Sequence, residues 1–222
     1  MTQIEALAKI EALGQPFFET KDLAALLAVE HSNANKIAAR LGRSGLIIPL
    51  VRGKWALRRV NKLAVAEHLT SPYPAYVSLQ TALYHHGMIS QIPSVIYAVS
   101  LARSRRYETP VGTFSIHHVD PDFFFGYELD RSGNAKIAVP EKALLDVFYL
   151  SPTRTRLFVR LPEIEFPRRF SWRRAFNMVA QIRSQARRVF VKEALSSMRD
   201  SSRRGKRRLA ADNRKARLRS IA

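Results

Sequence analysis

Residues 29–57 read VEHSNANKIAARLGRSGLIIPLVRGKWAL, and this stretch decides how the N-terminal part of the chain folds. Val29–His31 form a tight turn, after which Ser32 or Asn33 is expected to cap a helix running to about Leu41. A short polar side chain at that place accepts a bond from an amide left free in the first helical turn. Ile37 and Leu41, four residues apart, give the helix one inward face. Gly42 and Gly45 follow it. The apolar run Leu46–Val51, the pair Arg52–Gly53 and the run Lys54–Leu57 then predict a β-hairpin turning at Arg52 and Gly53.

Toward the N-terminus, Thr20 is expected to cap a helix through Lys21–Ala28, whose Leu23, Leu26 and Leu27 share a face. Before it, Ile4, Leu7, Ile10 and Leu13 recur at every third residue up to Gly14 and predict a first short helix. Two short helices joined by a three-residue turn, followed by a hairpin, have the order of a winged helix-turn-helix.

The charge is segregated along the chain. Residues 1–30 carry two basic and five acidic side chains, whereas residues 31–62 carry eight basic and no acidic ones. Residues 63–167 are nearly balanced, with nine basic and ten acidic, and residues 168–222 carry eighteen basic against three acidic. A chain kept soluble by charge can scatter it anywhere, so two separate basic blocks point to a polyanionic partner. In the first block Ser32, Asn33, Asn35, Lys36, Arg40 and Arg43 occupy helix positions that the core does not need, and Arg52 and Lys54 sit at the hairpin tip with Arg58 and Arg59 just beyond. These side-chain types reach base edges and phosphates. Double-stranded DNA is the expected partner; the stacking aromatic strands of a single-strand reader are missing.

Beyond a proline-containing turn near residue 70, a second unit is expected. Ser78 caps a helix that stops at Gly87. Alternating residues Val95–Leu101 predict a strand, followed by strands at Arg105–Glu108, Thr113–Val119, Phe123–Leu129 and Lys136–Val139. Pro140 then opens the helix PEKALLDVFYL, with Leu144, Leu145, Phe148 and Tyr149 inward. Ser171 caps a further helix bearing Trp172, Phe176, Val179 and Ile182, and another is expected over about Val189–Met198. Past Asp200 the arginine-rich chain cannot bury enough apolar surface to offset its ordering entropy, and it is expected to be disordered when free. The fold class is therefore α+β. A winged helix-turn-helix over residues 1–65 precedes a larger mixed α+β domain over 70–200 and a basic, largely helical C-terminal region ending in a tail over 201–222.

Four segments, Leu46–Leu57 (LIIPLVRGKWAL), Ser78–Ile89 (SLQTALYHHGMI), Ile96–Arg106 (IYAVSLARSRR) and Ile137–Leu150 (IAVPEKALLDVFYL), resemble in that order the AbiEi family of bacterial type IV antitoxins. The most specific piece is the IA-x-PEKALLD helix. The resemblance spans roughly residues 4–150; the arginine-rich run Arg203, Arg204, Lys206, Arg207 and Arg208 is outside the family pattern. It implies a transcriptional repressor that autoregulates a toxin–antitoxin operon and neutralises a cognate nucleotidyltransferase-like toxin. Operators with inverted repeats require two copies of such a protein. The alternative is a ligand-responsive winged-helix transcription factor with no toxin partner, which needs a concave apolar pocket.

No catalytic role is expected. Cysteine is absent, which removes thiolate nucleophiles and disulfides together. His117, His118, Asp120 and Asp122 are the densest set of possible metal ligands, but Pro121 interrupts their strand, and turn hydrogen bonds explain the aspartates better than a metal does. His85 and His86 are neighbours on a helix and point apart, which suits surface or capping roles. Glu141 complements a helix N-terminus, and Lys142 with Asp146 forms an i, i+4 pair. No cofactor is expected. No apolar run reaches the roughly 18 to 20 residues of a membrane helix, and the N-terminus lacks the pattern of a signal peptide, so a cytoplasmic protein is expected.

Overall fold

In the computed structural model the described residues are 2–151 and 163–219, with side chains described through Arg204. Thr2 opens the first helix, α1 (Gln3–Ala12): its hydroxyl accepts from the Glu5 amide, and Glu5 Oε2 accepts from the Thr2 amide at 2.8 Å. Two amides that a helix start leaves free are thereby satisfied. The inward face of α1 is Ala6 and Ile10, while Ile4 is 78% exposed and Leu13 is 46% exposed. Every third residue drifts about 60° around a helix, so the expected three-residue stripe could not all face one way.

A short strand, β1 (Phe17–Glu19), precedes α2 (Thr20–Leu27). Three residues are too few for alternation to register in a sequence. Glu19 is the N-cap of α2, its amide donating to Asp22 Oδ2 at 2.8 Å. The Thr20 hydroxyl, expected to cap, is buried and accepts from Trp55 Nε1 at 3.1 Å. Ala28 adopts a left-handed φ of 51° and ends α2; the turn Ala28–Glu30 leads into α3 (His31–Arg43). Glu30 precedes α3 as its cap residue, so neither Ser32 nor Asn33 caps, and both stand in its exposed first turn. Strands β2 (Ile47–Val51) and β3 (Lys54–Leu57) form the expected hairpin, with Gly53 at φ 77° in the turn. The strand β1 pairs antiparallel with the far edge of β3, giving the order β1-β3-β2. Ala6, Ile10, Leu23, Ile37, Leu41, Ile47 and Trp55 share one core.

After a 3-10 turn at Lys62–Ala64 and the helix α4 (Val65–Thr70), the chain enters a six-stranded mixed sheet. Its strands are β4 (Ala75–Val77), β5 (Ile96–Ser100), β6 (Arg105–Thr109), β7 (Gly112–His118), β8 (Tyr127–Leu129) and β9 (Lys136–Ala138), in the order β6-β7-β5-β4-β9-β8. The inner strand β4 falls where the prolines predict a turn, and all three of its residues are buried. The expected strand Phe123–Leu129 shrinks to β8, because Pro121–Phe123 make a 3-10 turn and Phe124 and Phe125 follow it as packing residues.

One face of this sheet carries α5 (Leu79–His85) and α6 (Pro140–Leu150), covered in turn by α7 (Trp172–Val179) and α8 (Gln185–Arg219). All eleven residues of α6 are buried, not only the apolar face that its sequence suggests. Lys142 and Asp146 therefore meet inside the core. The Lys142 ammonium bonds Asp146 Oδ1 and donates to Tyr76 Oη at 2.8 Å; Tyr76 Oη and Ser78 Oγ donate to Asp146 Oδ2 at 3.1 and 2.6 Å. Lys142 also lies 3.7 Å from the centre of the Phe123 ring, a favourable place for a cation. Burial pulls the lysine below its ordinary range, and Asp146 pulls it back. Ser78 precedes α5 but spends its hydroxyl on Asp146, not on a cap.

Ser171 caps α7 as expected, accepting from the Arg174 amide at 3.2 Å. The last helix starts before the expected Val189–Met198, and the tail 201–222, expected without order, is helical as far as Arg219. Arginine, lysine, alanine and leucine are all strong helix formers, and no proline interrupts the segment, so backbone preference opposes what charge density suggests. Part of the Leu157–Phe170 stretch, and the side chains of Lys206, Arg207 and Arg208, lie outside the described residues. A third apolar cluster joins Leu50 and Ala56 of the hairpin, Val65 and Leu69 of α4, and Phe114 and Ile116 of β7. Among the described residues no helix is long and apolar enough to cross a membrane.

Removing one member of the buried pair leaves the other charge without its partner, which costs about 3–5 kcal/mol. We expect Lys142→Met to lose stability of that order in urea unfolding, and Lys142→Met with Asp146→Leu to lose clearly less than the sum of the single losses. Additive losses would show that the two groups act independently.

Candidate nucleic-acid interface

The helix α3 has two faces. Ala34, Ile37, Ala38 and Leu41 are buried against the core, and Ser32, Asn33, Asn35, Lys36, Arg40 and Arg43 are all exposed on the other side. No acidic residue lies between His31 and Arg43, so nothing within the helix neutralises its three cations. Arg52 is exposed at the hairpin turn, and Arg58 and Arg59 are exposed just after β3.

Thr20 fixes the hairpin turn against α3. Its amide donates to the Gly53 carbonyl at 2.9 Å, its hydroxyl receives the Trp55 indole, and the same oxygen lies 3.5 Å from Asn35 Oδ1. This long contact leaves the Asn35 amide nitrogen and a second lone pair of its carbonyl open to a partner. Gly42 lets Trp55 approach closely: a Cβ there would meet the Trp55 ring at 3.3 Å. These positioning roles were hidden in the sequence, where Thr20 reads simply as a cap.

Lys54 does not join the exposed set. Its ammonium donates to the carbonyls of His68 at 2.7 Å and Ser71 at 3.1 Å, and lies 3.4 Å from Glu19 Oε1, with the side chain only 15% exposed. It ties the hairpin to α4. The charge of a lysine says nothing about which side of the strand it occupies, and at this position the inward side offers four acceptors, the fourth being the Leu69 carbonyl at 3.5 Å. Lys21 and Lys54 together hold the Glu19 carboxyl below its ordinary range. Beside them His68 stacks on Phe17, with ring centres 5.2 Å apart, and its buried Nε2 has no hydrogen-bond partner among the described residues. Burial first, and the Lys54 ammonium second, hold this imidazole down to about 4 from 6.5.

The other histidines and aspartates are dispersed. His117 Nε2 meets Ser115 Oγ at 3.0 Å, and His118 Nδ1 lies 3.2 Å from the carbonyls of Leu101 and Ala102. Asp120 accepts from the Tyr149 hydroxyl, and Asp122 pairs with Arg183. Among the described residues no three histidine, aspartate or glutamate side chains group as metal ligands. His86 is half-buried, with Nε2 2.7 Å from the Ala138 carbonyl and Nδ1 2.9 Å from Arg169 Nη2. Burial lowers its proton affinity. Glu141 turns from its own helix to α7, accepting from the Ser171 amide at 2.7 Å.

Models of known protein families give no match to this chain, and a search of curated proteins gives none either.

The position of His68 makes the joint between hairpin and α4 sensitive to acid. The fold favours the neutral ring, so nothing is lost above pH 6.5; stability falls between 6.5 and about 4, where the unfolded chain takes up its proton first. With allowance for partial exposure the loss is about 2 kcal/mol. We expect His68→Phe, which keeps the stacking on Phe17, to lose about that much less than the unsubstituted protein when urea unfolding is compared at pH 7 and pH 4. An equal loss in both would assign the acid sensitivity to other groups.

Proposed function

We propose that the chain is a double-stranded-DNA-binding transcriptional repressor whose first 65 or so residues act as a winged helix-turn-helix. In this reading α2 and α3 form the helix-turn-helix, and the β2–β3 hairpin is the wing. The observation that carries it is the outer face of α3, six exposed polar or basic side chains without an acid, set beside Arg52 by the Thr20 bonds. A helix of this kind fits the major groove of B-form DNA. Asn33 and Asn35 carry amides suited to adenine, and Arg40 and Arg43 carry forks suited to guanine or phosphate. Arg52, Arg58 and Arg59 supply phosphate contacts, which position the protein without reading sequence. Lys54 holds the wing in place.

The antitoxin role rests on the resemblance of Leu46–Leu57, Ser78–Ile89, Ile96–Arg106 and Ile137–Leu150 to the AbiEi family. It assigns the second unit to neutralising a nucleotidyltransferase-like toxin, gives the protein no catalytic step, and places two copies on an operator with inverted repeats.

Fluorescence anisotropy on the DNA upstream of the protein's own gene, against a scrambled duplex, tests this reading. We expect Asn35→Ala with Arg40→Ala to lose at least tenfold in preference for the native site. Arg52→Ala should weaken both duplexes alike and reduce the dependence on salt by about one released ion. Equal affinity of the unsubstituted protein for both duplexes would overturn the repressor reading. Relief by this chain of growth arrest caused by the adjacent gene product supports the antitoxin role; arrest unchanged by it removes that role.

A further inference from the structure

A cleft of about 580 Å3 opens between the end of α5, the turn joining β8 to β9, and the starts of α6 and α7. That volume suits a ligand of nucleotide size. Its lining is charged, unlike the apolar pocket expected of a ligand-sensing regulator. Arg131, Arg169 and Arg174 reach it from three separate segments: the β8–β9 turn, the approach to α7, and α7 itself.

Three acids share the cleft with the arginines, and two of them have oxygens taken up by neutral donors, which hold them in place while leaving them charged. Asp130 accepts from Ser132 Oγ, from Asn61 Nδ2 at 2.7 Å and from the amides of Asn134 and Ala135. Glu141 accepts from the Ser171 amide, and the exposed Glu128 reaches Arg174 only at 3.9 Å. Arg169 donates to His86, whose other nitrogen is satisfied by the Ala138 carbonyl, so its partner there is a neutral ring. Among the described residues neither Arg131 nor Arg169 has a carboxylate partner. Three guanidinium groups lining one cleft from separate segments can bond the several non-ester oxygens of a phosphate.

We propose that this cleft binds the phosphate of a small phosphorylated molecule between Arg131, Arg169 and Arg174, and that its occupancy is transmitted to the linker carrying Arg58 and Arg59. The connection is covalent on one side and hydrogen-bonded on the other. Arg131 follows Asp130, which holds Asn61, and Asn61 caps the 3-10 turn through the Leu63 amide at 3.0 Å, two residues beyond Arg59. Drawing Arg131 onto an anion shifts the turn that anchors the linker. The binding part stands without the DNA-binding reading; the coupling part rests on it.

Isothermal titration of the full-length protein with inorganic phosphate and with adenosine 5′-monophosphate, at low ionic strength, tests the binding part. We expect one saturable site, tighter for the nucleotide, weakened at least tenfold by Arg131→Ala with Arg169→Ala and unchanged by Arg103→Ala, an exposed arginine outside both sites. The substituted arginines are exposed, and circular dichroism checks that the variant folds. Absence of saturable heat with either anion, or undiminished binding in the double variant, would overturn the site; the second outcome would assign the anion to another basic surface such as α8. In a second arm the nucleotide should change affinity for the upstream DNA at least threefold, and should not do so in Asn61→Ala, which still binds it. An unchanged DNA affinity in the saturated protein overturns the coupling alone, whereas loss of native-site preference without any nucleotide is the failure of the repressor reading.

Discussion

The larger unit is organised around a lysine and an aspartate that meet fully buried in its core. Taking two ions out of water is expensive, and close contact recovers the cost only if the remaining donors and acceptors are also met. Lys142 and Asp146 reach that state through Tyr76 and Ser78, one on β4 and the other immediately after it, and through the ring of Phe123. The partners come from two separate lengths of chain besides α6 itself, so the pair is satisfied only when β4 lies inside the sheet, α6 lies on its face and the Phe123–Phe125 segment closes over both. Gly126 shares the requirement: at φ 75° a Cβ there would sit 3.1 Å from the lysine side chain.

From that centre the order extends outward to the proposed DNA face in steps. The sheet supports the hairpin through the cluster of Leu50, Ala56, Leu69, Phe114 and Ile116. The hairpin is held to α4 by Lys54, and α3 is held to the hairpin by Thr20 and Trp55. The exposed face of α3 is thus set by buried bonds and packing, while the side chains that would meet a duplex have, among the described residues, no internal partners that compete for them. The Asn35 carbonyl is the exception, at the long distance of 3.5 Å from the Thr20 hydroxyl.

How much of this was legible depended on whether a signal repeats. The helix α3 and the hairpin were readable because apolar positions recur at fixed spacing and Arg52–Gly53 marks the reversal. The strands β1 and β4, three residues each, offered no repeat, and the prolines around β4 pointed to a turn. The helix α6 looked amphipathic because its charged residues are the natural markers of a wet face, yet here they face one another in the core. Arg52 and Lys54 differ for a similar reason: two cations two residues apart look equivalent in sequence, and only the acceptors of α4 and Glu19 separate them. The arginines of the cleft were invisible as a group because Arg131 is almost forty positions from Arg169 along the chain.

The cluster shared by hairpin, α4 and sheet also bears on how such a protein can change over evolutionary time. A reader of DNA that is joined to its neighbour by a loose linker can be exchanged as a cassette. Here the back of the β2–β3 hairpin supplies Leu50 and Ala56 to an apolar layer completed by Phe114 and Ile116, so a transplanted N-terminal unit would carry a sticky surface with nothing to cover it. On the proposed DNA-binding reading, new sequence preferences would be more accessible through substitutions on the outer face of α3 than through recombination of whole domains, because the hairpin and the sheet behind it must be inherited together.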